Sequence, residues 1–318
     1  MTPNYIRVEG KRYVQFDCPS DAKAILLDTL KDYVYDLTSI PRCVEHIKFE
    51  EYFNQPFKKN DLPAGLKSLE FGFCFNQKIE KNVLPLGLQS IVFGNHFNQK
   101  IEKDVLPVGL HSIVFGHYFN QKIKRNVLPD RLQSIVFGWN YDQKIGKNVL
   151  PDGIKTLKFS NHFNQKIEQN VLPAGLHSIV FGCYFNQKIE KNVLPTGLQS
   201  IGFGYAFNQP IEKDVLLAGL QSIKFGYKFN QSVDNIPAEA KLYICNNSSK
   251  MTRNHTCYDH GKLNIEVIKN EKVKLGKIYT SEFNDCNYHM VDVEIIKPEI
   301  NMEKIKEILH QLEVELQF

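Results

Sequence analysis

Side chains that could do chemistry gather in one polar stretch towards the end of the chain. They are His255, Cys257, Asp259 and His260, with Cys286 and His289 further on. These residue types are suitable ligands for a transition metal, and a cysteine beside a histidine could serve as a nucleophile. However, the spacing matches no zinc-binding pattern, and nothing in the sequence positions a base or an oxyanion donor. The sequence therefore predicts no catalytic residue, no metal site and no cofactor.

Most of the remaining chain is organised by a 22-residue repeat, which decides where any functional side chain would lie. A Phe-Asn-Gln triplet, or a close variant, returns at that interval without an insertion or deletion. Its aromatic residues are Phe53, Phe75, Phe97, Phe119, Tyr141, Phe163, Phe185, Phe207 and Phe229. Because loops tolerate insertions, such a strict period gives each residue of the unit a fixed structural position, as in a solenoid.

One segment of each unit predicts a short β-strand. In the unit that begins at Leu66, alternation sends Leu69 and Phe71 towards the interior, which is the spacing of a leucine-rich-repeat strand. Gly72 follows this strand, where a positive φ would let the chain turn sharply. Pro85 excludes a regular helix on the outer side. The predicted fold is therefore a repeat solenoid, leucine-rich-repeat-like, with one short parallel β-strand per 22-residue coil.

An asparagine follows the aromatic residue in almost every unit, with Asp142 as the exception. A carboxamide can accept a hydrogen bond from one backbone group and donate to another. Catalysis needs one special residue, whereas a repeat makes all of them alike. We therefore expect a structural ladder of asparagines.

The recurring pattern LPxGLxSIxFGxxFNQxI resembles the FNIP repeat, a relative of the leucine-rich repeat found in slime moulds and in large DNA viruses of amoebae. The resemblance covers about residues 41–235. The family signature has proline after its FNQ or FNx triplet, whereas this chain has proline only at Pro56 and Pro210 and mostly lysine elsewhere. The resemblance implies a recognition scaffold, joined in some members to an F-box adaptor segment.

The N-terminal segment is expected to cap the first coil, since an uncovered coil would expose apolar side chains and strand edges. Residues 6–8 and 13–16 predict a hairpin, and a helix-like run with Leu26 on its apolar face begins at Ser20. Residues 1–40 are thus interpreted as a hairpin and helix cap. An F-box is the functional alternative for this position.

About nine coils are expected over residues 41–245, followed by a different pattern. Residues 246–318 predict a small α+β unit, which would be either a C-terminal cap or a separate module. Its predicted elements are strands over 263–268, 273–279 and 290–296, the first two forming a hairpin, and a helix over 305–316.

Two positions after the post-strand glycine differ from unit to unit, whereas the core positions hardly vary. Variation usually marks solvent, but this pair is rich in the residue types that are common at interface hot spots. Some of these side chains would only flank the buried aromatic column, and the others predict a recognition strip along one edge of the sheet. The predicted partner-binding residues are His117, Tyr118, Trp139, Asn140, His162, Tyr184, Tyr205 and Tyr227.

Lysines follow the same period and form a second candidate surface. They stack at roughly 5 Å per coil, and a basic ridge of that kind could track phosphates or an acidic chain. Glutamates lie between the lysines and the net charge is only +4, so mutual neutralisation on a solvated face is the alternative. The ridge lysines are Lys78, Lys100, Lys122, Lys144, Lys166 and Lys188.

The apolar runs and the cysteines of the sequence indicate in which compartment the protein is expected. No apolar run in the 318 residues approaches the roughly 20 that a membrane span needs, and no hydrophobic signal core follows the basic residues near the N-terminus. The seven cysteines are odd in number and widely spaced, which disfavours a disulfide framework. We therefore expect a monomer that is not secreted, in the cytoplasm of the host or producing cell or in a virus particle.

Two functional hypotheses follow from these patterns. The first is a non-enzymatic protein–protein interaction scaffold that presents its sheet-edge aromatic strip to an unidentified protein. The alternative is a polyanion binder that uses the lysine ridge for nucleic acid or an acidic chain. Nucleic acid is the weaker form of this alternative, because no aromatic platforms for bases are interleaved with the lysines.

Overall fold

The computed structural model describes the repeat region and short stretches on either side of it. The described residues are 5–9, 19–29, 34–245, 264–268, 272–275, 278–279 and 288–289. Several predicted features lie outside them: the cluster at 255–260 with Cys286, the strands over 13–16 and 290–296, and the helix over 305–316.

The first compact unit comprises Met1–Phe163 and Asn170–Leu176. Its described strands lie side by side in chain order and are all parallel, with like positions of successive coils in register. They are β1 Ile6–Glu9, β2 Ala24–Asp28, β3 His46–Phe49, β4 Ser68–Glu70, β5 Ser90–Val92, β6 Ser112–Val114, β7 Ser134–Val136 and β8 Thr156–Lys158.

The second unit comprises Asn164–Gln169 and His177–Phe318. Its strands β9 to β12 are parallel and in register. Strand β13 then pairs antiparallel with β12 and with β14, and the β13–β14 pairing confirms the predicted hairpin. The strands are β9 Ser178–Val180, β10 Ser200–Gly202, β11 Ser222–Phe225, β12 Lys241–Cys245, β13 Asn264–Ile268, β14 Lys272–Leu275, β15 Ile278–Tyr279 and β16 Tyr288–His289.

The predicted N-terminal helix is wrong, because residues 24–28 form strand β2. Ile25 and Leu27 are both fully buried, which is the two-residue alternation of a strand. Ile25 pairs in register with Ile47, one repeat later. Strand β1 pairs in parallel with β2, so the parallel sheet extends into the segment interpreted as a cap.

Aromatic side chains fill the core as predicted. Phe71 stacks on Phe75 within one coil at a ring-centroid distance of 3.8 Å, and Phe75 stacks on Phe97 of the next coil at 6.0 Å. Leu66 and Leu69 of the same coil are also buried. Each such side chain contributes roughly 1.5–3 kcal/mol through burial, and every coil supplies the same set. The chain in both units is thus a parallel β-solenoid with about 22 residues per turn.

The post-strand glycines are required for a different reason from the predicted one. No described glycine has a positive φ. Instead, a Cβ on Gly116 would lie 1.8 Å from the carbonyl oxygen of Gly94, so adjacent coils approach too closely for any side chain. The left-handed backbone positions are held by asparagine or aspartate, such as Asn82 at φ 61°, which tolerate this region.

The described chain contains almost no helix. A 3₁₀ turn spans Leu37–Ser39 and begins at Asp36, whose carboxylate accepts a hydrogen bond from the Thr38 amide at 3.0 Å. The outer segments carry proline, which removes a backbone donor and prevents a regular helix. Within the described residues, no helix is long and apolar enough to cross a bilayer.

Candidate partner-binding site

The backbone that follows the post-strand glycine is fixed by hydrogen bonds between coils. The amide of Tyr118 donates to the carbonyl of Asn95 at 2.9 Å, and the amide of Asn140 donates to the carbonyl of His117 at 2.9 Å. The same bond recurs from His162 in the last coil of the unit. The two variable positions therefore stand on a rigid edge, and only their side chains differ.

In the first unit, the aromatic side chains of this edge contact one another from coil to coil. His117 stacks on Trp139 with ring centroids 5.6 Å apart and contacts the neighbouring Tyr118 ring at 4.7 Å. Tyr118 contacts His96 at 5.3 Å, and His96 contacts Phe73 at 4.5 Å. We call this continuous set the aromatic strip. Its members are Phe73, His96, His117, Tyr118, Trp139 and His162.

Within the first unit, the strip also contains a polar contact between Trp139 and His162. The indole Nε1–H donates to Nε2 of His162 at 3.1 Å, and the two rings meet edge to face with centroids 6.0 Å apart. Partial burial lowers the pKa of His117, and the nearby charge of His162 lowers it further. His117 is thereby biased to the neutral form, in which it can stack on the indole and accept a hydrogen bond.

The strip is partly exposed to solvent. Tyr118 is 45% exposed and Phe73 is 43% exposed, whereas His117, Trp139 and Asn140 are half-buried. Burial of the ring bodies with free edges suits an interface anchor, because such side chains lose little conformational entropy on binding. Asn140 supports the edge through its backbone amide, and none of the ring contacts involves it.

The second unit has its own, smaller set of exposed aromatic residues at the same positions. Tyr205 stacks on Tyr227 at 5.6 Å with the rings 7° from parallel, and Nζ of Lys228 lies 5.4 Å from the Tyr205 ring centroid. Tyr184 is 39% exposed and Tyr227 is 41% exposed. The predicted strip residues thus fall into two sets, one in each unit.

Sequence reasoning missed the start of the strip. Phe73 and His96 occupy the variable positions but were not among the predicted residues, and Tyr52 occupies the same position as His96 two coils earlier, 47% exposed. Tyr52 and His96 both line a cleft of about 960 Å³. One wall of this cleft is held by Gln55, whose side chain bonds both the amide and the carbonyl of Tyr35 at 2.7 Å. The 22-residue register alone would have identified Tyr52.

The lysine ridge is largely neutralised by glutamates. In the first unit, Lys78 pairs with Glu80 and Lys100 with Glu102, both at 2.7 Å. The hydrogen bond from Lys100 lowers the pKa of the Glu102 carboxyl. In the second unit, Lys166 and Lys188 also lie in ion pairs with glutamates. The ridge therefore includes lysines that already face a carboxylate in both units: Lys78, Lys100, Lys166 and Lys188.

The asparagine ladder carries out the structural role predicted for it. Oδ1 of Asn98 accepts from the amide of Asn120 at 3.0 Å and from Nε2 of Gln121 at 3.1 Å. The same pair of bonds recurs in both units, for example at Asn186. The ladder lies at the coil surface and fixes the turn that follows each buried aromatic residue.

The described residues define a leucine-rich-repeat-like solenoid whose side chains vary along one edge of the coils. The FNIP Repeat model matches residues 36–74, 75–118, 119–162, 163–206 and 207–240. The chain therefore belongs to the FNIP repeat family, and the resemblance seen in the sequence is confirmed. A comparison with curated proteins finds no match.

Among solved structures, the chain is similar to CroV588 of a giant virus, whose crystal structure is described as a novel circular LRR protein structure. The two are 42% identical with a TM-score of 0.63. The alignment covers 70% of this chain and 32% of CroV588. The matched part thus spans about a third of that protein's length.

Proposed function

We propose that the chain is a non-enzymatic scaffold that binds another protein through the aromatic strip of its first unit. The observation that carries this proposal is the unbroken series of ring contacts from Phe73 to His162 on an edge whose backbone is fixed between coils. Tryptophan and tyrosine dominate the energetics of protein interfaces when they fill well-packed centres. The strip includes the single tryptophan of the chain, which packs between His117 and His162.

The partner-binding role agrees with the way the repeat distributes variation. The core columns and the asparagine ladder are nearly uniform because each must fit the coil above and below. The strip positions do not have to fit into the core, so their side chains can vary and specify a ligand. The lysine ridge supports the polyanion alternative less well, since Lys78 and Lys100 are already paired with glutamates.

The test compares partner capture by the wild-type chain and the double variant Tyr118→Ala/Trp139→Ala, each expressed with an affinity tag and quantified by mass spectrometry. We expect the variant to lose specific partners by about tenfold or more, because hot-spot truncations cost at least about 2 kcal/mol. Leu86→Ala/Val108→Ala is the matched control, since these apolar residues are 74% and 69% exposed outside the strip.

The control should recover partners as the wild type does, and both variants should keep the wild-type melting temperature. Binding through the strip should also change little between low and moderate salt, because it does not depend on net charge. Undiminished capture by the strip variant would refute the proposal, as would equal losses for the strip and control variants.

A further inference from the structure

Cations on the outer side of the coils follow a pairing rule. In the lysine ridge, the carboxylate partner lies two residues ahead, as for Lys78 with Glu80 at 2.7 Å, or one coil and two residues ahead, as for Lys188 with Glu212 at 2.7 Å. A ridge lysine thus has two sequence positions that can supply its counterion.

A second column of cations has a rule of its own. Lys81 pairs with Asp104 at 3.2 Å and Lys191 pairs with Asp214 at 3.0 Å, in each case 23 residues ahead. The aspartate takes the left-handed turn position, with φ 66° at Asp104. In most coils this turn position is asparagine instead, which has the same backbone conformation but no charge.

Both rules fail together in the middle of the first unit. The two positions that could supply a counterion to Lys122 are occupied by Lys124 and Gly146. The positions 23 residues after Lys103, Arg125 and Lys147 are all asparagine: Asn126, Asn148 and Asn170. Lys122 therefore lacks both ridge carboxylates, and three successive cations of the second column lack the aspartate that balances Lys81 and Lys191.

The ion pairs and hydrogen bonds of these cations agree with the sequence pattern. Within the described chain, Lys103, Lys122, Arg125 and Lys147 form no ion pair, and Nε of Arg125 donates to the backbone carbonyl of Lys147 at 3.0 Å. Lys124 lies close enough to Glu102 to lower the pKa of its carboxyl, but that carboxylate is already paired with Lys100. All five cations are exposed. We call them the outer cationic patch: Lys103, Lys122, Lys124, Arg125 and Lys147.

We infer that the outer cationic patch binds a short acidic segment of a protein. Lys103, Arg125 and Lys147 occupy the same position in successive coils, so they span about 10 Å at roughly 5 Å per coil. An extended peptide rises about 3.3 Å per residue, so a run of three or four acidic residues matches that length. Charge complementarity then supplies orientation and a fast association rate.

The patch fits a peptide better than a nucleic acid. Proteins that bind single strands combine a long basic groove with aromatic side chains on which bases stack. The patch covers three coils and follows the asparagine ladder in each of them. The ring contacts between exposed aromatic residues of this unit lie at the strip, which follows the strand instead. This surface goes beyond the proposed function, because it is a different part of each coil with a different ligand chemistry.

The test repairs the missing counterions with the residues that other coils carry. The variant Lys124→Glu/Gly146→Glu/Asn148→Asp restores a glutamate at the two ridge positions and an aspartate at the turn. A Cβ on Gly146 would meet only Val149 Cγ2, at 3.9 Å, and aspartate already adopts the turn conformation at Asp104, so the variant should fold. Lys188→Glu/Lys191→Glu is the control, since it changes the net charge by the same amount in the second unit.

Binding is measured by fluorescence anisotropy of a labelled octaglutamate peptide with the full chain. We expect the wild type to bind at low salt and to weaken steeply as salt rises. The repaired variant should bind about tenfold or more weakly, whereas the control should change by less than about threefold. Equal binding by the repaired variant and the wild type would overturn the inference, and so would an equal loss in the control. Tighter, patch-dependent binding of a single-stranded oligonucleotide than of the peptide would also overturn it.

Discussion

The indole of Trp139 donates a hydrogen bond to Nε2 of His162 across 3.1 Å. An imidazole nitrogen that accepts carries no proton, so the bond forms when Nε2 of His162 is unprotonated and is lost when His162 takes up a second proton and becomes charged. The bond joins two successive coils through side chains alone. Because Trp139 is the single tryptophan of the chain, its fluorescence reports directly on the aromatic strip.

Replacing His162 should therefore alter the tryptophan signal without unfolding the solenoid. We expect His162→Ala to shift the emission of Trp139, because the indole N–H turns to water when its acceptor is lost. The free energy of unfolding should fall by less than about 1 kcal/mol, since the bond is exposed. Emission spectra and thermal melts check both statements, and His162→Gln, which keeps an acceptor, is the control. An unchanged spectrum for the alanine variant would contradict the contact.

His117 should titrate below the ordinary histidine pKa of 6.5, because burial lowers its pKa and the charge of His162 lowers it further. In the unfolded chain the pKa is ordinary, so between the two values the unfolded state binds more protons. The stability that His117 contributes is therefore complete above about pH 6.5 and is lost as the pH falls through the window below it.

NMR titration of the His117 ring protons measures this value. In the His162→Gln variant the His117 pKa should rise, because the neighbouring charge is gone, but it should stay below 6.5 because burial is the larger cause. A His117 pKa at or above the ordinary value in the wild type would contradict the partial burial of this ring.

The repeat period predicted the core well because the same apolar residue type recurs at each core position in one unit after another. Phe119 and Ile113 are fully buried, and their equivalents in the other described coils of the repeat are buried as well. The N-terminal segment lacked that support. Ile25 and Leu27 lie in an apolar run that suits either a helix or a strand, and only pairing with a strand 22 residues away decides between them.

The site was less predictable because its contacts depend on side-chain reach. The register placed His117 and Trp139 at the same position of adjacent coils, and their stacking at 5.6 Å follows directly. It did not place Tyr118 against His96, because a contact between different columns depends on rotamers. Ion pairs one coil and two residues apart, such as Lys188 with Glu212, depend on long side chains and could not be separated from a continuous basic ridge.

Close approach of coils at the post-strand glycines predicts an unequal tolerance to alanine. Gly116→Ala should destabilise the protein by at least about 3 kcal/mol, because its Cβ would lie 1.8 Å from the Gly94 carbonyl oxygen and a rigid core resists such overpacking. Gly87→Ala is the matched control, since a Cβ there meets nothing within 4 Å. It should be neutral or stabilising by up to about 1 kcal/mol. Urea denaturation of both variants tests the contrast, which equal midpoints would disprove.

Each ladder position should require a side-chain oxygen that accepts hydrogen bonds, whether that oxygen belongs to an amide or to a carboxylate. Asn98→Ala should cost about 1–3 kcal/mol, because the Asn120 amide and the Gln121 side chain both lose their acceptor. Asn98→Asp keeps a carbonyl-type oxygen and should remain within about 0.5 kcal/mol of the wild type, as the natural Asp142 in the same column suggests. Hydrogen exchange at the Asn120 amide gives a local measurement: protection should drop in the alanine variant and persist in the aspartate variant. Equal protection in the two variants would mean that the amide is held by something other than the ladder.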